Sequence, residues 1–347
     1  MDISGSTALV TGGAGFVGSE LARALLARRC RVRILDLHPG ETDYAETVQG
    51  DVRESATWTR ALAGVDIVFH LAAAVGADTD ARRYLDVNAG GTAELFRALE
   101  GSTRSVRKVV VSSSLGVYGE GSYRCGRDGL QHPELRQRAQ LVERQWEPLC
   151  RVCGESLTFV PTSERAVTAP VSAYGVSKHA AERLALFMGR RVEVPTVALR
   201  YAVVYGAGQP LANPYSAVIT TFASRFAHGE APTIYEDGGQ QRDFVYVDDV
   251  VHATILAAED ERAAFQVFNV GAGQGLSVRK LAEGLGQRFG RTGPLEASQE
   301  FRVGDYRHLI LDTAKLRALG WEVSVPLDEG LDRFVHWLRR AGPERKS

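Results

Sequence analysis

The chain has 347 residues, a formal net charge of −1, and a composition that is 44% hydrophobic and 24% charged. This balance is typical of a folded globular protein and excludes an intrinsically disordered chain. With 41 basic and 42 acidic residues there is no cationic surplus, which argues against a nucleic-acid partner. No apolar run approaches the roughly 18 residues of a membrane span, so we expect no membrane partner.

The predicted elements alternate between strand and helix. The chain opens with a strand at Thr7–Thr11, a glycine turn, a helix over 16–28 and a strand at Arg31–Asp36. Further strands are predicted at 67–71, 108–112 and 196–200, a strand leading into a helix at 244–259, and helices at 84–100, 174–188 and 327–340. Strands that are continuous apolar runs and alternate with helices predict an α/β fold with a doubly wound parallel sheet.

The turn after the first strand reads Thr-Gly-Gly-Ala-Gly-Phe-Val-Gly, with glycines at 12, 15 and 18. Glycine permits the tight turn and lets the backbone approach a pyrophosphate, while the helix that follows offers unpaired N–H donors. A glycine turn alone is common, but its place between a strand and a helix predicts a Rossmann-type dinucleotide site.

Asp36 ends the second strand, about 20 residues after the turn. A carboxylate there accepts hydrogen bonds from ribose hydroxyls and repels a 2′-phosphate, which favours NAD over NADP. Arg33 and His38 lie close enough in sequence to leave NADP open as the alternative.

Tyr174 and Lys178 stand four residues apart on a predicted helix and so share one face. The lysine is conspicuous because 36 of the 41 basic residues are arginine. A tyrosine with a pKa near ~10 becomes a usable base where an ammonium group stabilises its phenolate. The structural alternative is a half-buried tyrosine beside an exposed lysine.

Several short motifs accompany this pair. They are the turn at 11–18, Asp36, Gly50-Asp51-Val52, Leu71-Ala72-Ala73, Asn88, Ser112-Ser113-Ser114, Val117-Tyr118-Gly119, and Tyr174 with Lys178. In this combination the chain resembles the extended short-chain dehydrogenase/reductases, except in roughly 121–165. The resemblance implies NAD contacts from Gly12, Gly15, Phe16, Val17, Gly18, Asp36, Asp51, Val52, Leu71, Ala72, Ala73, Asn88, Tyr174, Lys178 and Tyr201.

The resemblance also assigns the chemistry. Ser114 is implied to hydrogen-bond the reacting sugar hydroxyl, and Tyr174 to act as the acid and base. Lys178 is implied to hold the nicotinamide ribose and to lower the tyrosine pKa.

Motifs in the second half resemble those of nucleotide-sugar epimerases and dehydratases. They are Leu199-Arg200-Tyr201, Tyr205-Gly206, the run from Arg242 to Val250, Asn269-Val270-Gly271 and Arg302-Val303-Gly304-Asp305. In that family the two arginines, here Arg242 and Arg302, bind the substrate diphosphate, a task suited to guanidinium groups.

The run 206–215 and the cysteine-bearing segment most resemble the branch that contains dTDP-L-rhamnose 4-epimerase and UDP-glucose 4-epimerase. Asn213 is implied as a further diphosphate contact. The pair Ala202-Val203 departs from that branch, where an aromatic or polar residue is followed by asparagine.

The residues after Ser114 narrow the reaction. Related dehydratases carry Asp-Glu there and decarboxylases carry Glu, but this chain has Leu115-Gly116. Without these carboxylates an elimination lacks its acid and base, which favours a nucleotide-sugar 4-epimerase that oxidises and re-reduces C4 with tightly bound NAD. The alternatives are a nucleotide-4-ketosugar reductase, a dehydratase or decarboxylase, and a non-enzymatic NAD-binding regulator.

Cys125, Cys150 and Cys153 lie in the segment that lacks a clear period. Cys150-Arg151-Val152-Cys153-Gly154 has the spacing of a zinc knuckle, with Asp128 or His132 needed as the fourth ligand. An unmetallated loop and a redox role are the alternatives, and Cys30 is expected in the core.

The chain exceeds one dinucleotide-binding domain of ~150–250 residues by about a hundred. We expect an NAD-binding domain over 1–200 with a return segment at 237–271 and an insertion at 121–165. The remaining 201–236 and 272–340 are expected to form a smaller C-terminal substrate-binding lobe. The four cysteines and the polar N-terminus predict a cytoplasmic protein, and the resemblance implies a homodimer through 84–100 and 174–188.

Overall fold

The computed structural model describes residues 1–40, 45–76, 80–100, 106–211, 218–291 and 293–341. The strands are β1 (Thr7–Thr11), β2 (Arg31–Asp36), β3 (Glu46–Gln49), β4 (Ile67–His70), β5 (Lys108–Ser114), β6 (Ser122–Cys125), β7 (Gly129–Gln131), β8 (Thr158–Val160), β9 (Thr196–Tyr201), β10 (Val203–Tyr205), β11 (Gln241–Tyr246), β12 (Val267–Val270), β13 (Gly275–Ser277) and β14 (His308–Leu309). The helices are α1 (Phe16–Ala27), α2 (Ser55–Ala61), α3 (Ala81–Tyr84), α4 (Gly91–Glu100), α5 (Arg138–Val142), α6 (Ala173–Arg191), α7 (Val218–Ala227), α8 (Val247–Glu259), α9 (Val278–Arg288), α10 (Ala314–Arg317) and α11 (Leu327–Ala341).

The main sheet has seven described strands in the order β12-β9-β5-β4-β1-β2-β3, and all pairs are parallel. Helix α1 packs against α8, while α4 packs against α2 and α6. Separate hydrophobic clusters form from the strands and these two groups of helices. The predicted doubly wound α/β fold of Rossmann type is therefore confirmed.

The topology brings the predicted motifs to one edge of this sheet. The carboxyl ends of β1, β4 and β5 are neighbours, and they lead respectively into the glycine turn, Leu71–Ala73 and Leu115. Ligands of such sheets bind outside the carboxyl ends of the strands, where the strand order reverses.

Two smaller sheets lie apart from the main one. In the first, β11 pairs with β10 and β14 in parallel and with β13 antiparallel. The second is the antiparallel sheet β7-β6-β8. This sheet forms from the segment in which the sequence showed no hydrophobic period. The period was absent because each strand is only three or four residues long.

The helix predicted over 84–100 is not continuous. It consists of α3, a π-helical segment at Leu85–Gly90, and α4. A π-helical turn inside a helix often marks a functional site, and this one contains Asn88. In the described residues no helix combines the length and apolarity needed to cross a bilayer.

Candidate active site

The glycine turn after β1 leaves a cradle for a ligand. Gly12 adopts a φ of +67°, and a Cβ on it would lie 2.8 Å from the backbone nitrogen of Ala72. A Cβ on Gly18 would lie 2.1 Å from the Gly12 oxygen. Helix α1 begins at Phe16 without a side-chain cap, so its first amides, including that of Val17, remain available to an anion.

Asp36 is oriented toward this turn. One carboxylate oxygen accepts from the Ala14 N–H at 3.1 Å and the other from the His38 N–H at 3.2 Å. Arg33 instead donates to two backbone carbonyls at the end of α2 and pairs with Glu46 at 2.8 Å. Arg33 is therefore engaged away from the turn, which weakens the NADP alternative.

Two further parts of the predicted cofactor site, the segment after β4 and Asp51, are fixed by hydrogen bonds. The Ala72 N–H, between Leu71 and Ala73, donates to the Thr11 hydroxyl at 3.1 Å. Asp51 forms a two-pronged ion pair with Arg53, which lowers the pKa of its carboxyl.

Val52 packs beneath the start of α4, where a Cβ on Gly91 would lie 2.7 Å from its side chain. Its carbonyl accepts from Trp58 Nε1 at 2.7 Å. Val52 is thus a core residue that packs the turn after β3 against α2 and α4.

Asn88 is buried and joins two parts of the site. Its amide oxygen accepts from the Ala74 N–H at 2.7 Å, and its nitrogen donates to the Ser177 hydroxyl at 2.9 Å. The Ser177 hydroxyl in turn donates to the Tyr174 carbonyl at 2.7 Å. Asn88 therefore positions the start of α6, and its predicted role near the cofactor is indirect in this geometry.

Tyr174 is on the first turn of α6, next to Ser114 at the end of β5. Burial raises the pKa of its phenol to about 12, although a hydrogen bond with Ser114 opposes the rise. The Ser114 hydroxyl also accepts from the Gly116 N–H at 3.1 Å. The Tyr84 ring packs edge-on against the Tyr174 ring at 5.9 Å. The structure thus brings the predicted serine and tyrosine together.

Lys178 lies one turn further along α6. Its ammonium donates to the Ser112 hydroxyl at 3.1 Å. Burial lowers its pKa to about 8, while the charge of Glu182 opposes this effect. Burial and the charge of Lys178 together lower the pKa of His70 to about 3, so that this histidine stays neutral. The lysine is therefore buried, contrary to the structural alternative of an exposed one.

Glu182 belongs to a buried cluster next to Lys178 on α6. It accepts from the Ser113 hydroxyl at 2.6 Å and pairs with Arg200 at 2.6 Å. Arg200 also donates to the Tyr118 hydroxyl at 2.7 Å, which donates to Asn269 at 2.7 Å. These motif residues fix β5, β9, β12 and α6 to one another.

The Tyr201 side chain is turned away from the predicted cofactor site. The Tyr201 ring lies in the core, and its hydroxyl bonds to the Thr254 hydroxyl of α8 at 2.8 Å. Any contact of Tyr201 with a cofactor must therefore come from its backbone. Asn213 lies outside the described residues.

Arg242 and Arg302 both lie beside aromatic rings. Arg242 stacks on Tyr306 at 4.2 Å and donates to the Tyr306 and Arg307 carbonyls. Arg302 is exposed, stacks on Tyr235 at 4.2 Å and donates to its hydroxyl at 3.0 Å. Both guanidinium groups act electrostatically on the same carboxyl group, that of Asp305. The structure thus places the two predicted arginines in one neighbourhood.

Sequence reasoning missed a buried ionic network beside these arginines. Arg307 pairs with Glu147, Glu236 and Asp237 at 2.7–2.9 Å, and Arg136 pairs with Glu236 at 2.8 Å. The paired residues of this network lie up to 160 positions apart in the chain, so no local sequence pattern predicts the network. It joins the 121–165 insertion to the β11 sheet.

The three cysteines of the insertion converge. Cys125, Cys150, Cys153 and the carboxylate of Asp128 place one potential ligand atom each within 4.8 Å of the others. His132 faces Ser122 and the Gly121 carbonyl at 3.4 Å instead, which leaves Asp128 as the fourth member.

In sequence and in structure the chain is similar to enzymes of nucleotide sugars, several of them 4-epimerases. The sequence model of the NAD-dependent epimerase/dehydratase family matches residues 8–137 and 150–271. The chain is 32% identical to a dTDP-L-rhamnose 4-epimerase of Burkholderia thailandensis, over 97% of this chain and 96% of that protein. Among solved structures it is similar to a UDP-glucose 4-epimerase of Thermotoga maritima with UDP-glucose, with 30% identity, a TM-score of 0.80 and coverage of 96% and 99%. It is also similar to a UDP-glucose 4-epimerase of Thermus thermophilus in complex with NAD, with 28% identity, a TM-score of 0.75 and coverage of 97% and 100%.

Proposed function

The chain belongs to the NAD-dependent epimerase/dehydratase family, and we propose that it is an NAD-dependent nucleotide-sugar 4-epimerase. The similar epimerases of sugar nucleotides support this activity. The observation that carries the proposal is the half-buried Tyr174 beside Ser114, with the buried Lys178 one turn away on α6. A regulator that only bound NAD would not need this set.

The glycine cradle, the uncapped N-terminus of α1 and the orientation of Asp36 fit NAD. We assign the diphosphate of NAD to the turn at Gly12–Gly18 and its adenosine ribose to Asp36. Bound NAD would supply the hydride acceptor and donor that an inversion at the sugar C4 requires.

Tyr174 removes the proton from the sugar O4 as C4 is oxidised and returns a proton after the 4-keto sugar has turned in the pocket. A phenol with a pKa of about 12 needs help to do this near neutrality, and the Lys178 ammonium supplies it by favouring the phenolate. Ser114 hydrogen-bonds the same sugar oxygen and holds it in line with Tyr174.

The sequence after Ser114 disfavours elimination. Leu115 is buried, and a Cβ on Gly116 would lie 3.4 Å from the Ser114 hydroxyl oxygen, the place where a side chain at 116 would enter the site. Because neither residue carries a carboxylate, a dehydratase or decarboxylase would lack its acid and base there.

We assign the substrate diphosphate to Arg242, Arg302 and Asn213. The convergence of Arg242 and Arg302 on one neighbourhood supports this for the two arginines. We also propose two domains. Residues 1–200 and 237–271 form the NAD-binding domain, and residues 201–236 and 272–340 form the substrate-binding lobe.

We further infer a homodimer through the α3–α4 region and α6. Leu85, Val176 and Phe187 are exposed there, and the 11-residue interval from Val176 to Phe187 puts both on one face of α6. Light scattering should give the mass of a dimer, and a monomer would refute this interface.

The four free cysteines support a reducing, cytoplasmic location.

The activity is tested with a panel of dTDP-, UDP- and GDP-sugars followed by NMR. The protein as purified should invert C4 of at least one sugar without added cofactor or reductant. Product that forms only when NADH or NADPH is supplied would indicate a ketosugar reductase, and loss of water or carbon dioxide would indicate the other family reactions.

A further inference from the structure

The sheet β7-β6-β8 ends in a pair of facing hairpin tips. One tip joins β6 to β7 and carries Cys125 and Asp128. The other is closed by the backbone pair Leu149 with Ser156 and carries Cys150 and Cys153. We propose that these four side chains bind one structural zinc ion.

The distances fit a tetrahedral ion. The Cys125 and Cys153 sulfurs are 3.5 Å apart, and an Asp128 oxygen lies 3.4 Å from the Cys125 sulfur and 3.2 Å from the Cys150 sulfur. Zinc–sulfur bonds of about 2.3 Å and zinc–oxygen bonds of about 2.0–2.2 Å place ligand atoms about 3.5–3.8 Å apart. These three ligand pairs are therefore within a few tenths of an ångström of the tetrahedral spacing, and all four ligand atoms lie within 4.8 Å of one another.

Both turns are shaped to present these ligands. The Arg127 N–H donates to the Cys125 sulfur at 3.4 Å, which holds this sulfur at the turn between β6 and β7. The Gly154 N–H donates to the Cys150 carbonyl at 2.9 Å, and Gly154 has a φ of +75°, so it closes the tight turn between Cys150 and the next strand. Cys125 and Cys150 are buried, which suits a closed structural site rather than a catalytic one.

A bound metal would stabilise this insertion. Its own buried cluster comprises only Tyr123, Cys125, Cys150 and Leu157. So small a core does not by itself hold three short strands, and segments of this size usually need a metal or disulfide.

The zinc site would also act on the candidate substrate region. Glu147, three residues before Cys150, binds His308 and Arg307 at 2.9 and 2.8 Å. The Phe159 ring of β8 packs on the His308 ring at 5.1 Å. Fixing the two hairpin tips therefore keeps Glu147 and Phe159 against the chain that follows Arg302.

The test starts from the metal content of protein purified without chelator under reducing conditions. We expect about one zinc per chain, bound with release of thiol protons. Cobalt substituted for zinc should give the thiolate-to-metal absorption of a tetrahedral site. Less than about a tenth of an equivalent of zinc would overturn the proposal.

Variants locate the ion. Cys153→Ser should lose the zinc, whereas Cys30→Ser, which changes a buried cysteine outside the insertion, should keep it. Zinc that survives in Cys153→Ser would place the ion elsewhere and contradict the proposal.

Thiol titration of the folded wild-type protein keeps the test decisive if Cys153→Ser fails to fold. Three insertion thiols that become reactive only after zinc is displaced support the site. Two thiols missing without reductant would show a disulfide instead. Removal of the zinc should also open the insertion to trypsin and raise KM more than it lowers kcat.

Discussion

Lys178 and Arg307 are both buried cations, yet their surroundings are opposite. The Lys178 ammonium donates to a neutral hydroxyl, that of Ser112, and burial lowers its pKa to about 8. Arg307 is surrounded by the carboxylates of Glu147, Glu236 and Asp237, whose hydrogen bonds raise its pKa against the effect of burial. The first arrangement leaves a charge that responds to its neighbours and suits proton transfer. The second leaves a permanent charge that suits holding two parts of the chain together.

The largest effect is expected on kcat when Tyr174 is substituted. Tyr174→Phe should fold, retain NAD and lose about 10²–10⁴-fold in kcat, because the acid and base group is removed while the ring remains. The matched control is Tyr84→Phe, which keeps the ring against Tyr174 and loses the hydrogen bond of its hydroxyl to Gly76. The control should keep most of the activity. Near-normal turnover of Tyr174→Phe would overturn the assignment.

At the ionic network the expected effect is on stability. Glu236→Gln removes the carboxylate shared by Arg136 and Arg307 and should cost about 3–5 kcal/mol of unfolding free energy in urea titrations. The control Glu230→Gln breaks an exposed pair with Arg225 and should cost less than about 1 kcal/mol. Equal losses in both variants would show that the buried network is not what joins the insertion to the β11 sheet.

Arg302 allows a milder test of the substrate assignment. Because it is exposed and bound mainly to the Tyr235 ring, Arg302→Gln should leave the thermal midpoint nearly unchanged. Loss of one charge-assisted hydrogen bond to a diphosphate should raise KM about tenfold with little change in kcat. An unchanged KM in steady-state kinetics would remove Arg302 from the site.

The smallest effect concerns the pH profile. Lys178 is charged below its pKa, so kcat/KM should fall as the pH rises through about 8 and the support for the phenolate is lost. Ser112→Ala removes a hydrogen bond to the charged form, which lowers that pKa further. The alkaline limb should therefore move to lower pH by less than about one unit. A shift to higher pH would contradict the role of Ser112.

The same contrast explains what the sequence could predict. The glycine turn between β1 and α1, and the shared face of Tyr174 and Lys178 on α6, were predictable because local patterns encode them, whereas Ser114 was placed by the family resemblance. The strands β1, β2 and β9 were also predicted nearly to the residue, because their short runs rich in apolar and β-branched residues alternate with helices and turns.

The insertion and its network were not predictable in the same way. Strands β6, β7 and β8 are too short for a period, and the partner of Arg136, Glu236, lies 100 residues away. Tyr201 shows a further limit: no local pattern indicated that its hydroxyl bonds to the Thr254 hydroxyl of α8. Pairings of this kind depend on tertiary packing that no short window of sequence contains.

The most direct test of the central claim uses a nucleotide sugar that carries deuterium at C4. If the hydrogen removed from C4 returns to the opposite face of the same sugar, the epimer formed without added cofactor should retain the deuterium at C4 in the NMR spectrum. Loss of the label to solvent, or inversion that requires added NADH, would contradict the proposed reaction.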